Sequence, residues 1–275
     1  DVTRSNPNGD PDDENRPRMD EQGYNLVTDL RLKRTIRDFW LAQEREDRKV
    51  LIKRVLKDDK KNVMSLEDII TKELGIENKE NVSREELQNK LPEKYIDVRA
   101  FGAAVTFKKA NVSITGSVQF GIGKSLNKPE VITMGLTTVL SATGESGTGT
   151  MGQFHYVDYS LIQFHGIACE YNSKETKFSE EDLEAVYEGL WLGTKKLNTR
   201  SKFNHNPRLL FAVVSKENEF QIGGLDTKIK LKEEENILSC ENAVIIMDEI
   251  AEALKLHKEK ILKIEYAETK ELVYL

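Results

Sequence analysis

The chain has 275 residues, of which 38% are hydrophobic and 32% are charged, and this composition excludes both a short peptide and a fully disordered chain. The formal net charge of -6 argues, taken as an average, against a nucleic-acid-binding protein. No apolar run approaches the roughly 20 residues that cross a bilayer, and no secretory leader is visible, so we expect a cytoplasmic protein without membrane contact.

Hydrophobic periodicity and capping motifs predict an alternation of strands and helices, preceded by a loop over 4–25 that is rich in Asn, Pro, Asp and Gly. In chain order, the first half is predicted to contain the end of a strand at 1–3, a helix over 26–44, a strand over 49–56, and short helices after the capping residues Ser65 and Ser83. The rest is predicted to contain strands over 112–120, 131–140 and 159–171, a helix over 183–197, a strand over 209–214, a helix over 240–256 and a strand over 261–266.

The order of these elements predicts an α+β fold. Strands at 1–3, 49–56, 159–171 and 209–214, with helices at 26–44 and 183–197, give the βαββαβ order of a ferredoxin-like or RRM-like palm with large insertions. We expect one palm domain over 1–275. Its predicted additions are an acidic helical insertion at 62–97, a projecting thumb-like hairpin at 129–158 with a Gly-rich tip, and a C-terminal helix and strand at 237–275 packed on the palm.

Positive charge is segregated along the chain. Residues 99–128 and 195–208 contain several basic residues and no acidic one, whereas acids collect at 10–14, 67–97 and 170–188. The basic residues of the two acid-free runs are Arg99, Lys108, Lys109, Lys124, Lys128, Lys195, Lys196, Arg200, Lys202 and Arg208. The pattern predicts an anion-binding surface on an otherwise acidic body.

Two motifs invite a nucleotide or metal interpretation. The run Gly121–Ser125 resembles a phosphate loop, but Val118 stands where that motif needs its first glycine. This argues against a nucleotide hydrolase and predicts a glycine turn that presents Lys124 and Ser125 to a sugar-phosphate backbone. The acidic run 10–14 lacks the glycine of a calcium loop, and we interpret it as a capped turn.

Cysteine and histidine spacings indicate neither a zinc site nor a redox pair. We expect free thiols at Cys169 and Cys240, and neither a metal nor a cofactor. The four histidines are His155, His165, His205 and His257.

Four blocks spread over residues 6–209 share one pattern with a known family. They are Asn6-Pro7-Asn8-Gly9-Asp10-Pro11-Asp12 with Asn15-Arg16-Pro17-Arg18, Ile114–Phe120 with Gly123–Leu126, Thr150-Met151-Gly152 with Val157–Gly166, and Asn198–Lys202 with Asn206–Leu209. Together they resemble the backbone subunit of type I CRISPR surveillance (Cascade) complexes, in the subtype I-B and I-C branch. Two departures are Ser117, where the family often has proline, and Gln153-Phe154-His155, which replaces a more basic stretch.

The resemblance implies a non-catalytic subunit that binds CRISPR guide RNA. Copies stack head-to-tail along one guide, other Cascade subunits complete a ribonucleoprotein, and the guide pairs with target DNA in antiviral defence. A separate, recruited helicase-nuclease then cuts. The thumb wedges between nucleotides, and Met151 is the candidate wedge.

The residues expected to contact RNA come from the basic runs and the first block. They are Asn8, Arg16, Arg18, Arg99, Gln119, Lys124, Ser125, Arg200, Ser201 and Lys202. Contacts of this kind neutralise phosphates and give affinity without sequence choice.

Two other functions compete with this interpretation. One is an endoribonuclease of the same superfamily, which would need a general base such as His165 or an acid of the 10–14 run. The other is a protein scaffold without RNA contact. The basic runs argue against the scaffold, and no acid–base pair emerges from the sequence for the nuclease.

Overall fold

The computed structural model describes residues 1–57, 61–79, 81–107, 110–137, 151–269 and 273–274. Helices and strands are both present throughout, which confirms the prediction of a mixed α and β protein. The helices are α1 Asp29–Gln43, α2 Leu66–Leu74, α3 Arg84–Lys94, α4 Ile96–Phe101, α5 Glu170–Thr176, α6 Glu180–Glu188, α7 Thr194–Lys196 and α8 Asp248–Leu256. The strands are β1 Val2–Ser5, β2 Gly9–Asp10, β3 Arg16–Pro17, β4 Leu26–Val27, β5 Gly102–Phe107, β6 Ala110–Thr115, β7 Val118–Phe120, β8 Gly123–Ser125, β9 Val131–Thr137, β10 Met151–Ser160, β11 Ile162–Gln163, β12 Gly166–Ala168, β13 Leu209–Ser215, β14 Lys230–Leu231, β15 Val244–Ile246, β16 Ile261–Glu268 and β17 Val273–Tyr274.

The chain divides into two compact units. The first contains Asp1–Arg31, Gly121–His165 and Thr194–Leu275, and the second contains Leu32–Phe120 and Gly166–Gly193. Within the described ranges, no helix is long and apolar enough to cross a membrane.

The first unit is built on a three-stranded antiparallel sheet in the order β1–β10–β9. Val2 lies opposite Ser160, and Val131 lies opposite Val157. A stretch at 204–206 pairs with β1 on its other edge, where Val2 and His205 form an antiparallel bridge. The predicted first strand is confirmed. The strand predicted over 131–140 is confirmed as far as Thr137, and 138–140 lie outside the described residues. Of the Gly-rich tip predicted over 141–152, residues 141–150 also lie outside them, and Met151 and Gly152 begin β10.

Smaller sheets complete the first unit. The orders are β11–β8–β4, β14–β15–β17, β13–β16 and β2–β3. Tyr159 and Leu161 at the end of β10 pack against an apolar cluster from the C-terminal region that includes Leu231, Ile237 and Ile245. Cys240 is buried in this cluster, and no disulfide joins it to Cys169.

The second unit is mainly helical, with the hairpin β5–β6 and the pair β7–β12. Trp40 of α1 stacks on Phe101 at a centroid distance of 5.6 Å and donates a hydrogen bond to the carbonyl of Ala185 at 3.0 Å. The serines at 65 and 83 cap α2 and α3 as predicted, and each accepts a hydrogen bond from a backbone N–H in the first turn.

Two glycines allow a close backbone approach beside the β5–β6 hairpin. Gly102 has a φ of +80°, and a Cβ on it would lie 2.2 Å from the carbonyl oxygen of Ile114. A Cβ on Gly116 would lie 2.3 Å from the nitrogen of Gly102. Any larger side chain would separate these backbones. The strand predicted over 112–120 is therefore wrong as one element, since it breaks at Gly116 into β6 and β7.

The strand predicted over 49–56 is wrong. Its backbone N–H groups bond a buried carboxylate and not a neighbouring strand. Asp97 accepts hydrogen bonds from the N–H groups of Leu51 at 2.8 Å and Ile52 at 3.1 Å. Arg37 neutralises the same carboxylate at 2.9 Å. The βαββαβ order that used this strand therefore does not hold.

Three other predicted elements are divided in the structure. The strand over 159–171 becomes the end of β10, then β11, β12 and the start of α5, each strand with a different partner. The helix over 183–197 begins earlier, at Glu180 after a capping box on Ser179, and widens into a π turn at Gly189–Gly193. Only the second half of the helix predicted over 240–256 is helical, as α8. The first half contains the β-branched run Val244–Ile246, which pairs with β14 as a strand.

The predicted C-terminal strands form a ribbon. The strand predicted over 209–214 is confirmed as β13, and it pairs with β16 alone among the described strands. β16 confirms the predicted terminal strand and extends it to Glu268.

Candidate nucleic-acid interface

The first sequence block folds into a tight hairpin. β2 and β3 pair Gly9 with Pro17, and the backbone N–H of Asn15 donates to the carbonyl of Asp10 at 2.8 Å. A Cβ on Gly9 would lie 2.1 Å from Oδ1 of Asn15, so the turn requires glycine here. Glu14 and Asn15 adopt positive φ values of 47° and 60°. The hairpin presents Arg16 at an exposed position next to Asp13 and Glu14.

The first block and the second basic run lie side by side. The backbone N–H of Asn6 donates to the carbonyl of Ser201 at 2.9 Å, and the hydroxyl of Ser5 donates to the same carbonyl at 2.7 Å. Nζ of Lys202 donates to the carbonyl of Asn6 at 2.5 Å. These hydrogen bonds hold together two segments that are 196 positions apart in the sequence.

This junction is electropositive. Burial and the neighbouring charge of Arg31 lower the pKa of Lys202 to about 8, so its ammonium is still charged at neutral pH. Burial and the charge of Lys202 lower the pKa of His205 to about 3, so this imidazole is neutral. Its Nε2 lies 3.1 Å from the hydroxyl of Ser5.

A cleft of about 390 Å³ opens beside the hairpin. Arg18 forms an ion pair with Asp10 at 2.9 Å on its wall, and the Arg18 Nε atom is buried without a hydrogen-bond partner among the described residues. The lining residues are Asp10, Asp13, Arg16, Pro17, Arg18, Met19, Leu26 and Val131.

Aromatic rings beside this region were missed by the sequence analysis. Phe154 and Tyr156 alternate on one face of β10 and stack at a centroid distance of 5.5 Å. The guanidinium carbon of Arg200 lies 5.5 Å from the Phe154 centroid, a distance within the range of a cation–π contact. Cross-strand pairing places Met134 of β9, which is exposed, opposite Phe154. The alternation of Phe154 and Tyr156 was the available signal, but the segment was interpreted only as a loss of positive charge.

Several predicted contact residues have internal roles. Nζ of Lys124 lies 2.8 Å from Asp20 and 4.0 Å from the centroid of the Tyr24 ring. The carbonyl Oδ1 of Asn8 accepts from both the backbone N–H and the hydroxyl of Thr28, each at 2.9 Å, and so caps the start of α1.

Ser125 is buried in a polar network. Its hydroxyl donates to the carbonyl of Asn127 at 2.6 Å and accepts from the backbone N–H of Asn25 at 2.8 Å. The Asn127 side chain in turn donates to the carbonyl of Tyr159 in β10 and accepts from the backbone N–H of Leu161, just after that strand. The network fixes β4 and β8 relative to β10.

Two predicted residues belong to the second unit. Arg99 makes a two-pronged ion pair with Asp182, both bonds at 2.7 Å, and donates to the carbonyl of Pro92. Gln119 accepts from Lys33 and donates to the carbonyl of Gly116. Met151 begins β10 opposite Thr137, and its side chain lies outside the described residues.

The described residues contain no cluster of three or more His, Cys, Asp or Glu side chains that could hold a metal ion. Nδ1 of His165, the base considered for a nuclease, lies 3.6 Å from Asp226, and both side chains are partly exposed. Lys108 and Lys109 of the first basic run also fall outside the described residues.

Fold and surface define an α+β protein with a basic, aromatic-lined face of the kind that suits single-stranded nucleic acid. The chain belongs to the CRISPR-associated protein Cas7 family, whose model matches residues 1–248. It is 29% identical over 294 residues to the CRISPR-associated protein Cas7 of Haloferax volcanii, with 95% of this chain and 82% of that protein covered.

Solved structures share the fold. A chain of a CRISPR RNA-guided surveillance complex matches with a TM-score of 0.54 and 15% identity, and covers 99% of this chain and 90% of its own length. A chain of a pre-nicking CRISPR RNA-guided surveillance complex matches with a TM-score of 0.53 and 12% identity, at coverages of 99% and 94%.

Proposed function

We propose that this protein is the guide-RNA-binding backbone subunit of a Cascade-type surveillance complex. The observation that carries the proposal is the junction of the first block with the loop 200–205. There Nζ of Lys202 donates to the carbonyl of Asn6, and the guanidinium of Arg200 lies over Phe154, whose ring stacks on that of Tyr156. Cationic side chains bind phosphates of any sequence, and aromatic faces stack on any base. A subunit that serves many different guides needs both properties.

The proposed contacts fall into two groups. Arg16, Arg18, Arg200 and Lys202 would contact the guide backbone, and Phe154 with Tyr156 would stack on bases. Met151 remains the proposed wedge of the thumb. Asn8, Arg99, Gln119, Lys124 and Ser125 are assigned positioning roles, because their side chains already bond within the protein. Ser201 is assigned one because its backbone carbonyl accepts hydrogen bonds from Ser5 and Asn6.

We infer a ferredoxin-like, RRM-like palm with a revised second strand. β1, β10 and β9 have the order and antiparallel directions of the first, third and second strands of that fold, and the stretch at 204–206 lies where its fourth strand belongs. The thumb-like insertion proposed over 129–158 would then be the outer part of the hairpin of β9 and β10, beyond the residues of β10 that pair with β1. The helices in 62–97 form the acidic insertion, and 237–275 is the C-terminal addition.

The partners follow from this role. Copies would stack head-to-tail along one guide, other Cascade subunits of subtype I-B or I-C would complete the particle, and a helicase-nuclease would cut the paired DNA. The subunit itself would be non-catalytic and would work in the cytoplasm. Purification of the assembled particle should yield several copies of the chain with RNA of uniform length.

A charge-reversal experiment tests the RNA site. The double variant Arg16→Glu and Arg200→Glu should weaken binding to several unrelated labelled RNAs equally. It should also reduce the slope of log affinity against log salt by about 0.7 for each phosphate that the protein no longer neutralises. The matched control is Lys255→Glu with Lys258→Glu, two exposed lysines outside the basic runs. Equal affinities and slopes for the two double variants would refute the site.

The nuclease alternative has its own test. The purified chain is incubated with labelled repeat RNA with and without magnesium, and no discrete product should form. A product that His165→Ala abolishes would contradict a non-catalytic subunit.

A further inference from the structure

β16 has an unusual surface for a strand at the edge of a sheet. It pairs with β13 on one edge, and no other described strand lies on its second edge. Leu262, Ile264 and Tyr266 alternate along one face and are 60%, 41% and 70% exposed. An exposed strand edge of eight residues with an apolar face is a template for pairing with another strand.

Its partner strand is also incompletely covered. β13 begins with six apolar residues in succession, a pattern typical of a strand buried on both faces, yet each of its residues is only half-buried. A two-stranded ribbon has little stability by itself, and additional strands are needed to cover such a sequence.

The sequence of β16 is self-complementary about Ile264. In an antiparallel pair of two copies centred on this residue, Lys263 of each copy lies opposite Glu265 of the other. Leu262 lies opposite Tyr266, and Lys260, which directly precedes the strand, lies opposite Glu268. Opposite charges and apolar pairs at directly facing positions stabilise antiparallel strands.

Other registers do not share this match. A shift that centres the pair on Lys263 or on Glu265 places like charges opposite each other. A shift of one residue places Lys263 opposite Ile264 and Leu262 opposite Glu265, and parallel pairing in register aligns identical charges. Among the registers whose centre lies within one residue of Ile264, the charges therefore favour this one.

We propose that β16 is an interaction surface for a second copy of this chain. Two copies join their β16 edges antiparallel around a twofold axis at Ile264, and the strands form a continuous sheet in the order β13–β16–β16–β13. This isologous contact is independent of RNA and differs from head-to-tail stacking, so it goes beyond the proposed function.

Reciprocal charge reversal tests the pairing. The RNA-free chain, prepared with nuclease treatment, should dimerise with increasing concentration in sedimentation equilibrium. The variants Lys263→Glu and Glu265→Lys should each associate about tenfold more weakly, because two like-charge pairs replace two matched pairs. An equimolar mixture of the two variants should recover the wild-type association constant, since every facing pair is then opposite in charge.

The mixture separates pairing between copies from effects within one strand. Lys263 and Glu265 form an ion pair in the same strand, and both single variants lose it whether alone or mixed. Circular dichroism melts should show both variants folded, and Lys258→Glu is the control for net charge. A monomeric wild-type chain, unchanged association of the single variants, or a mixture no stronger than its components would each overturn the proposal. RNA binding is measured separately, so failure here leaves the guide-RNA site standing.

Discussion

The guanidinium of Arg200 lies over the ring of Phe154, with 5.5 Å between the guanidinium carbon and the ring centroid. Arg200 belongs to a basic loop and Phe154 to β10, so the contact places a cation beside an aromatic ring. Under the proposed function, the cation would meet a phosphate and the ring a base. The two side chains should therefore act together in RNA binding.

A double-mutant cycle tests this cooperation. Phe154→Leu should weaken RNA binding about tenfold, because an aromatic surface that stacks on a base contributes roughly 1–3 kcal/mol. Arg200→Ala should also weaken binding, and the double variant should lose less than the sum of the two because the groups are in contact. Fluorescence anisotropy with labelled RNA measures all four affinities. Strictly additive losses would show that the two residues act independently.

The pKa of Lys202 predicts a pH dependence of RNA binding. Its pKa lies near 8, because burial and Arg31 disfavour the ammonium. The cation is present below that pH and is lost as the pH rises through it, so affinity should fall about tenfold between pH 7 and pH 9 if the ammonium contacts phosphate. Lys202→Arg should remove this dependence, because arginine stays protonated. A parallel decline in both proteins would exclude Lys202 as the cause.

His205 should make the fold sensitive to acid. The pKa of this residue falls from an ordinary value of 6.5 to about 3, with burial as the main cause. Between these two values the unfolded chain binds a proton that the folded chain does not. The free energy of unfolding should therefore fall as pH decreases from 6.5 towards 3. Urea denaturation should show a smaller decrease for His205→Gln, and identical pH profiles would contradict this assignment.

Ser125 should contribute to stability and not to RNA affinity. Ser125→Ala leaves the buried N–H of Asn25 without its acceptor, which costs about 1–3 kcal/mol. Denaturant unfolding measures this loss. The control is Ser113→Ala, at an exposed strand position, where a change within about 0.5 kcal/mol is expected. An RNA affinity that falls below wild type while the variant is fully folded would return Ser125 to the contact surface.

Asp97 should be among the most destabilising positions to truncate. Asp97→Ala leaves Arg37 buried without its counter-charge and frees the N–H groups of Leu51 and Ile52. The expected loss is about 3–5 kcal/mol. The control is Asp38→Ala, which removes an exposed helical pair with Arg34 and should cost about 0.3–0.5 kcal/mol. Equal losses in thermal denaturation would refute the role given to Asp97.

Residues close together in the sequence correctly predicted the helix caps that depend on short-range hydrogen bonds. The capping serines depend on residues close in sequence, and both were found where expected. The helix predicted from residue 26 begins instead at Asp29, because Leu26–Val27 pairs with β8 as β4. The strand expected over 49–56 failed because Asp97, more than forty positions away, takes its N–H groups. Short-range periodicity cannot register such a partner.

In the candidate site, too, short-range patterns could be read from the sequence and long-range contacts could not. Composition identified the basic loop at 200–202, but the proximity of the Asn6 backbone to Ser201 is a long-range contact. Arg99 was expected to face RNA from the acid-free run, and Lys124 from that run and the glycine turn before it. Their carboxylate partners, Asp182 and Asp20, lie elsewhere in the sequence. Charge patterns predict that a residue is cationic, and only the fold determines which anion it meets.

The segments that form the sheet around β1 are widely separated along the chain. Val2 pairs both with Ser160 and with His205, so the strand cannot acquire all its neighbours until more than two hundred residues have left the ribosome. Contacts of such sequence separation slow folding, because a long loop must close before they form. The surface around Asn6, Ser201 and Lys202 would therefore mature near the end of translation, and a nascent chain that has not reached residue 206 would lack it.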